Sequence, residues 1–416
     1  MPNEDAIYRY FNQISSVVIR DVYLDYFNKV AFDPERSWLI KRLKRTTRGV
    51  KGLKVHIPFQ TRKPITWRGM TEKGYTPAGA DIEYDKQEFE LACCVAACNA
   101  TYKEVLGCGM DWSKIKDLTS EKVQNLIDTF PYYLRAILWA PQAANKAVGV
   151  VASVGGTGNL TITLDNDGLW NTKQEDRCKL IERGMYLQGY DGSTLVKKGD
   201  PVVVADVDKD LGKFTLESST VTFADGDYFV PSDAGGLDNP QFDCPGVLDV
   251  IDDDNTFQGV NRAETGNKWA RAYVQDGHLS AFNYTLLSKF FRKCFDPREA
   301  IAHIESIQAY VLQHIAANIR YSAAVTYEED FTHLKIDNTV ITSDDDVDRD
   351  KIIVPDFNSI TIREAGPIGP LHSTAAGWKQ VEGRPFMEYV VGKWFTLAAT
   401  DVRKCGLLYI DNTKFA

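Results

Sequence analysis

Asp206-Val-Asp208-Lys-Asp210, with Glu217 at the twelfth position, puts carboxylates at positions 1, 3, 5 and 12, where a calcium-binding loop carries its oxygen ligands. Such a loop turns sharply on a glycine at position six. This chain has Leu211 there, with Gly212 one place late. The flanks read as strands rather than helices, so the expectation is a polar hairpin turn and no metal. Asp344, Asp346 and Asp348 also alternate, but without a Gly turn or a distant Glu they read as a solvated acidic loop.

The six histidines offer little more. His303 and His314 lie eleven residues apart, on one face of a helix but too far apart to share a metal. The sequence has no His-Glu-x-x-His, no Gly-x-Ser-x-Gly elbow and no phosphate loop ending in Gly-Lys-Ser/Thr. Of eight cysteines, Cys93, Cys94 and Cys98 cluster in an apolar segment and the rest are scattered, with no Cys-x-x-Cys pair. They read as free thiols in a protein made in the cytosol. No catalytic, cofactor-binding or metal-binding residue is assigned, and the chain is not expected to be an enzyme.

Charge is the stronger signal. The net charge is −9, yet Arg36 to Arg68 carries eleven Lys or Arg and no Asp or Glu. Asp252-Asp253-Asp254, Glu328-Glu329-Asp330 and Asp344 to Asp350 are acidic. A segregated basic stretch suits nucleic acid, or the acidic surface of another copy. Its few aromatics, Trp38, Phe59 and Trp67, show no stacking pattern for single strands. The expected role is contact between subunits: Arg42, Lys44, Arg45, Arg48, Lys51, Lys54, Arg62 and Lys63 against Asp252, Asp253 and Asp254, with Asp344 to Asp350 as a further complement. Lys41 belongs to the same basic run.

A chain of 416 residues with 44% hydrophobic and 11% aromatic content supports several packed substructures. Neither a signal peptide nor a membrane-spanning run is visible. Residues 1–45 read as an arm of two short helices, one over Ser15 to Val30 and one carrying Trp38, Leu39 and Leu43, neither with an apolar partner nearby. Residues 46–98 read as an extended loop: a strand from Lys54 to Phe59, a Gly-, Pro- and Thr-rich middle, and a returning strand through Ile82, Tyr84, Phe89 and Leu91. Residues 99–147 are expected to be mostly helical, capped at Thr119 or Ser120, and kinked or divided by Pro131. Short strands and turns over 148–238 suggest a β-barrel or sandwich module. In 239–330, Asp296-Pro297-Arg298-Glu299 reads as the start of a helix striped by Ile301, Ile304, Ile307 and Val311. Strands close the chain over 331–416.

One run holds these parts together. Thr256 to Gly277, TFQGVNRAETGNKWARAYVQDG, has a Gly-x-Asn-Arg turn, a polar loop, a Trp and a strand-like segment, followed by the amphipathic stretch Leu279 to Phe295. With the order of parts around it, it resembles major capsid proteins of tailed phages, the Hong Kong 97-type fold. The resemblance implies an α+β chain with N-terminal arm, extended loop, spine helix in a peripheral domain, apical domain and, here, an inserted β-barrel-like module. It implies hexamers and pentamers in an icosahedral shell, a portal, a separate scaffold protein because no long charged helical prefix precedes the arm, and possible decoration proteins. The shell would enclose double-stranded DNA without sequence-specific binding, assemble in the host cytoplasm and become part of the virion, with no membrane involved. Two alternatives stay open: an encapsulin-like nanocompartment shell, and an enzyme with an accessory β-domain.

Overall fold

The computed structural model describes residues 4–18, 38–62, 83–139, 147–156, 158, 160–165, 177–232, 244–277, 284–294, 297–316, 325–327, 333–336, 338–344, 346–367, 369–370, 378–380 and 386–410. In chain order these form α1 (Glu4–Val18), α2 (Trp38–Arg42), β1 (Lys44–Thr46), β2 (Val50–Lys51), β3 (Lys54–Arg62), β4 (Glu83–Glu90), β5 (Ala92–Thr101), α3 (Tyr102–Cys108) and α4 (Trp112–Trp139). Then come β6 (Gly149–Gly155), β7 (Thr161–Leu164), β8 (Tyr186–Tyr190), β9 (Lys197–Asp208), β10 (Lys213–Leu216) and β11 (Tyr228–Pro231). Next are α5 (Val247–Ile251), β12 (Thr256–Phe257), β13 (Val260–Asn261), a 3-10 turn (Thr265–Ala270), β14 (Tyr273–Asp276), α6 (Tyr284–Lys293), β15 (Glu299–Ala302) and α7 (Ile304–Ala316). The chain closes with β16 (Val325–Tyr327), β17 (His333–Ile336), β18 (Thr339–Ser343), β19 (Lys351–Val354), β20 (Ile360–Glu364), β21 (Gly369–Pro370), β22 (Lys379–Gln380), β23 (Phe386–Ala399) and β24 (Gly406–Tyr409).

The chain divides into two compact units. One is Met1–Val55, Glu90–Arg135 and Ile362–Thr396; the other is His56–Phe89, Ala136–Thr361 and Leu397–Ala416. The first is built on a sheet of order β1-β20-β23-β21, with β5 and β22 also pairing with β23. β5 and β23 run antiparallel from Phe386↔Thr101 to Phe395↔Ala92 without a break. Along β23, Met387, Tyr389, Val391, Lys393 and Phe395 alternate inward, the period a half-buried strand requires.

α1 has a partner in its own unit. Ile7 and Phe11, one helical turn apart, are buried. The Phe11 ring lies 5.8 Å from Trp378, which lies 6.0 Å from Tyr389, and Tyr8 is 5.0 Å from Tyr102. Leu39, Ile40 and Leu43 are likewise buried. For the helix carrying Trp38, Leu39 and Leu43, this corrects the expectation of no nearby apolar partner. Most of the helix expected over Ser15 to Val30 lies outside the described residues, as does the middle of the extended loop.

Thr101 and Glu104 form a capping box on α3, each satisfying the other's backbone N–H. Lys122 of α4 reaches Glu104 at 3.0 Å. α4 starts earlier than expected: Asp111 accepts from the Ser113 N–H at 3.0 Å and caps it, while Thr119 is a buried mid-helix residue in the stripe Ile115, Thr119, Val123 and Leu126. The helix is not divided at Pro131 and runs 28 residues. Proline inside a helix costs about 3 kcal/mol. Burial on both sides of it, ending in Leu134 and Leu138, each contributing about 1.5–3 kcal/mol, offsets that cost.

In the second unit, β10-β7-β6-β11-β8-β9 close into a barrel. Its filling is aromatic: Phe229 lies 5.4 Å from Phe214 and 4.8 Å from Phe223, and Tyr190 stacks on Tyr228 at 5.5 Å. Gly189 has no room for a side chain, since a Cβ there would meet Phe223 at 2.3 Å. The Asp206–Glu217 stretch is a hairpin turn between β9 and β10, with Asp208 accepting from the Leu211 N–H at 3.0 Å. The first and last strands, β6 and β11, pair with each other, and the Val148 N–H donates to Phe229 O at 2.9 Å.

The second unit also holds a seven-stranded sheet of order β14-β24-β19-β15-β18-β17-β16, with β14/β24 and β15/β18 parallel. α6 lays Leu286, Leu287, Phe290 and Phe291 into the same core as Ile307 and Tyr310 of α7 and Ile341 and Ile352 of the sheet. The helix expected from Asp296 is corrected here. Glu299–Ala302 is the strand β15, buried on both faces and paired on both sides, so tertiary burial overrides the Asp-Pro start signal. The helix begins at Ile304, where His303 Nδ1 accepts from the Glu305 N–H at 3.2 Å. The loop Asp344–Asp350 is corrected too. Asp344 and Asp346 are buried, Asp348 and Asp350 pair with Lys351, and Arg349 pairs with Glu305 at 2.8 Å.

Because the barrel starts and ends on paired neighbours, its removal leaves two chain ends within reach of a short linker. Replacing 148–231 with such a linker is expected to preserve the cooperative unfolding of the remainder, read by circular dichroism. Aggregation or loss of the helical signal would contradict it.

Candidate assembly surface

The basic residues singled out by charge lie where the chain leaves α2 and enters the hairpin. Arg42 ends α2, Lys44 and Arg45 are on β1, Arg48 is in the following turn, and Lys51 and Lys54 face each other across β2 and β3. Like charges directly opposite one another destabilise a ladder. Arg62 ends β3; Lys63 lies outside the described residues.

Arg45 is bound within its own chain. Its Nε and Nη2 donate to the two carboxylate oxygens of Glu364, each at 3.2 Å. Glu364 Oε2 also lies 2.7 Å from Nζ of Lys393, which is 1% exposed and donates to Gly366 O at 3.1 Å. Burial alone would raise the Glu364 pKa, but the hydrogen bonds from Lys393 and Arg45 outweigh it and hold the carboxyl below its usual range. Next to it, Arg363 Nη1 donates to Arg48 O at 2.6 Å. β1 buries little, so adjacent residues of β20 hold it by polar contacts.

The acidic counterpart, Asp252 to Asp254, follows α5 in the second unit, while Arg42 to Lys54 belong to the first. The three carboxylates come within 4.8 Å of one another. Beneath them Arg262 is fully buried, and its Nη1 donates to the carbonyls of Asp249 (3.0 Å), Val250 (3.1 Å) and Asp252 (2.6 Å). A cation at the C-terminal carbonyls of a helix is favourable, and the guanidinium also sits 4.5 Å over the Phe257 ring. Burial pulls the Arg262 pKa down to about 10. Burial, then the neighbouring Asp254 and Asp253, raises the Asp252 pKa despite its bond from the Asp253 N–H.

Sequence reasoning missed Glu364, Lys393 and Arg262. The signal for Lys393 was present: it is the charged residue at an inward position of an otherwise apolar alternation. Arg262 lies in the Gly-x-Asn-Arg turn, but nothing local marks its three carbonyl partners.

No known protein family matches the chain, and no curated protein sequence matches it. Solved structures do. A cyanophage A-1(L) capsid asymmetric unit is 9% identical, covering 89% of this chain and 90% of that one, with a TM-score of 0.43. The capsid of a native GTA particle is 10% identical over 90% and 89%, with a TM-score of 0.41. The holo-SrpI encapsulin complex from Synechococcus elongatus PCC 7942 is 9% identical over 90% and 87%, with a TM-score of 0.36.

Two measurements check the electrostatics. Glu364→Gln removes the negative charge that answers buried Lys393, so it is expected to cost about 3–5 kcal/mol in denaturant unfolding. Arg45→Ala, at a partly exposed pair, is expected to cost under about 1 kcal/mol. Equal costs would contradict this division. Asp252 has a folded pKa above its unfolded one, so its contribution is present at low pH and lost as pH rises through the folded value. Asp252→Asn is therefore expected to raise the melting temperature at pH 7, with the gain vanishing below about pH 4. A gain independent of pH would contradict it.

Proposed function

We propose that this chain is the major capsid protein of a tailed phage, self-assembling through hexamers and pentamers into an icosahedral shell around double-stranded DNA. The observation that carries the reading is the hairpin between α2 and the 28-residue α4. β4 exposes nearly all of its side chains, including Tyr84 at 58%, and Leu53 at the β2–β3 turn is 50% exposed. β3 buries Val55, Ile57 and Phe59 within the chain, so the bare part is the β4 edge and the β2–β3 turn, and that surface calls for cover. A second copy supplies it in a ring, where one chain offers two unlike complementary surfaces. The order of parts supports the same reading: a root of basic strands, a long helix, a barrel between paired strands and a mixed sheet.

Charge sets how the copies meet. Arg42, Lys44, Lys51 and Lys54, with Arg48, form the basic face, and Asp252 to Asp254 of a neighbour form its complement. Exposed pairs contribute only about 0–1 kcal/mol each, so the contact rests on many of them and on apolar area. Scaffold, portal and decoration proteins belong to this reading as partners, the virion as its location and host cytoplasm as the place of assembly.

Exposed charges are screened beyond about 8 Å at physiological salt, so association is expected to weaken as salt rises. Lys44→Glu and Lys51→Glu together, with Arg45 left in place for Glu364, are expected to keep the wild-type circular dichroism and melting temperature. Sedimentation velocity should then show monomers where the wild type forms rings and larger particles. A variant that assembles normally but loses affinity for DNA would overturn the role of the basic face.

A further inference from the structure

β12 and β13 are joined by two residues, Gln258 and Gly259, at φ +52° and +80°. Positive φ at both places marks a type I′ turn, whose first place suits Asn, Asp or Gly. Glutamine has no such local advantage and is held there against its backbone preference. Its side chain is buried. With its nitrogen toward the hairpin, the Gln258 amide donates to Gln87 Oε1 at 2.8 Å and Ala399 O at 3.1 Å, and its oxygen accepts from the Ala399 N–H at 2.7 Å. Gln87 is the one buried side chain of β4. Eleven residues on, Trp269 meets the buried Phe59 of β3 edge to face, ring centres 5.3 Å apart.

One short segment thus grips both strands of the hairpin, β4 through an amide pair and β3 through an aromatic pair. We propose that Gln258 is a positioning residue that, with Trp269, aims the extended hairpin. The strained turn is retained because an asparagine there would be one methylene short of both Gln87 and Ala399. Backbone strain that survives in a folded chain is held by its surroundings, and here those surroundings are the hairpin root. The link from aim to assembly rests on the capsid reading; the positioning role does not.

Hydrogen–deuterium exchange of the full chain, read on peptides covering 83–90, tests it with Gln258→Asn and Gln258→Gly. Both suit the turn better, so the melting temperature is expected to hold or rise. Loss of the amide contacts is expected to speed exchange at 83–90 about ten-fold or more, with β5 and β23 unchanged. Unchanged exchange at 83–90 in both variants overturns the proposal, as does acceleration throughout the chain, which marks Gln258 as a general stabiliser. Faster exchange confined to 83–90 with shells forming at wild-type yield upholds the positioning role and instead contradicts the hairpin's part in assembly.

Discussion

β4 cannot hold its own position. Of its eight side chains only Gln87 is buried, and as the edge of the three-stranded sheet β2-β3-β4 it is paired on one side alone. Its course is therefore fixed from outside, by Gln258 and the Ala399 backbone on one strand and by Trp269 against Phe59 on the other. The same segment carries Arg262, whose bonds to the carbonyls of Asp249 in α5 and of Asp252 just after it tie the Asp252–Asp254 corner to the turn that grips the hairpin. Aim of the hairpin and placement of the acidic corner are thus coupled through the dozen residues from Gln258 to Trp269.

The buried charges follow a second constraint. Glu364 answers two cations, fully buried Lys393 and partly exposed Arg45. Lys393 accounts for the burial of the carboxylate, so Arg45 is left to hold β1, a strand with almost no apolar burial. Such arrangements add less to stability than apolar packing of the same volume would, but they fix which strand lies beside which.

Much of this architecture was legible in the sequence where one period dominated. The alternation in β23, the turn-punctuated strands of the barrel and the apolar stripe of α4 all follow from side-chain spacing. Errors arose where two signals competed. Asp-Pro-Arg-Glu is a sound helix start, yet β15 is buried on both faces, so its Ala-Ile-Ala shows no alternation to set against it. β8 is hard to read from composition because Gly189, required by the close approach of Phe223, interrupts its strand pattern. Asp344 to Asp350 looked solvated because charge runs usually are; Arg349 within the run and Lys351 beside it turn it inward. Of the candidate surface, the basic residues were legible as a charge run. Their internal bonds were not, since Arg45 and Glu364 are separated by most of the chain.

Electron microscopy of the wild-type chain at low salt and rising concentration tests the central claim most directly. The account predicts rings and closed icosahedral shells in which each hairpin lies over a neighbouring copy. Monodisperse single chains at every concentration, with or without a scaffold partner, would contradict it.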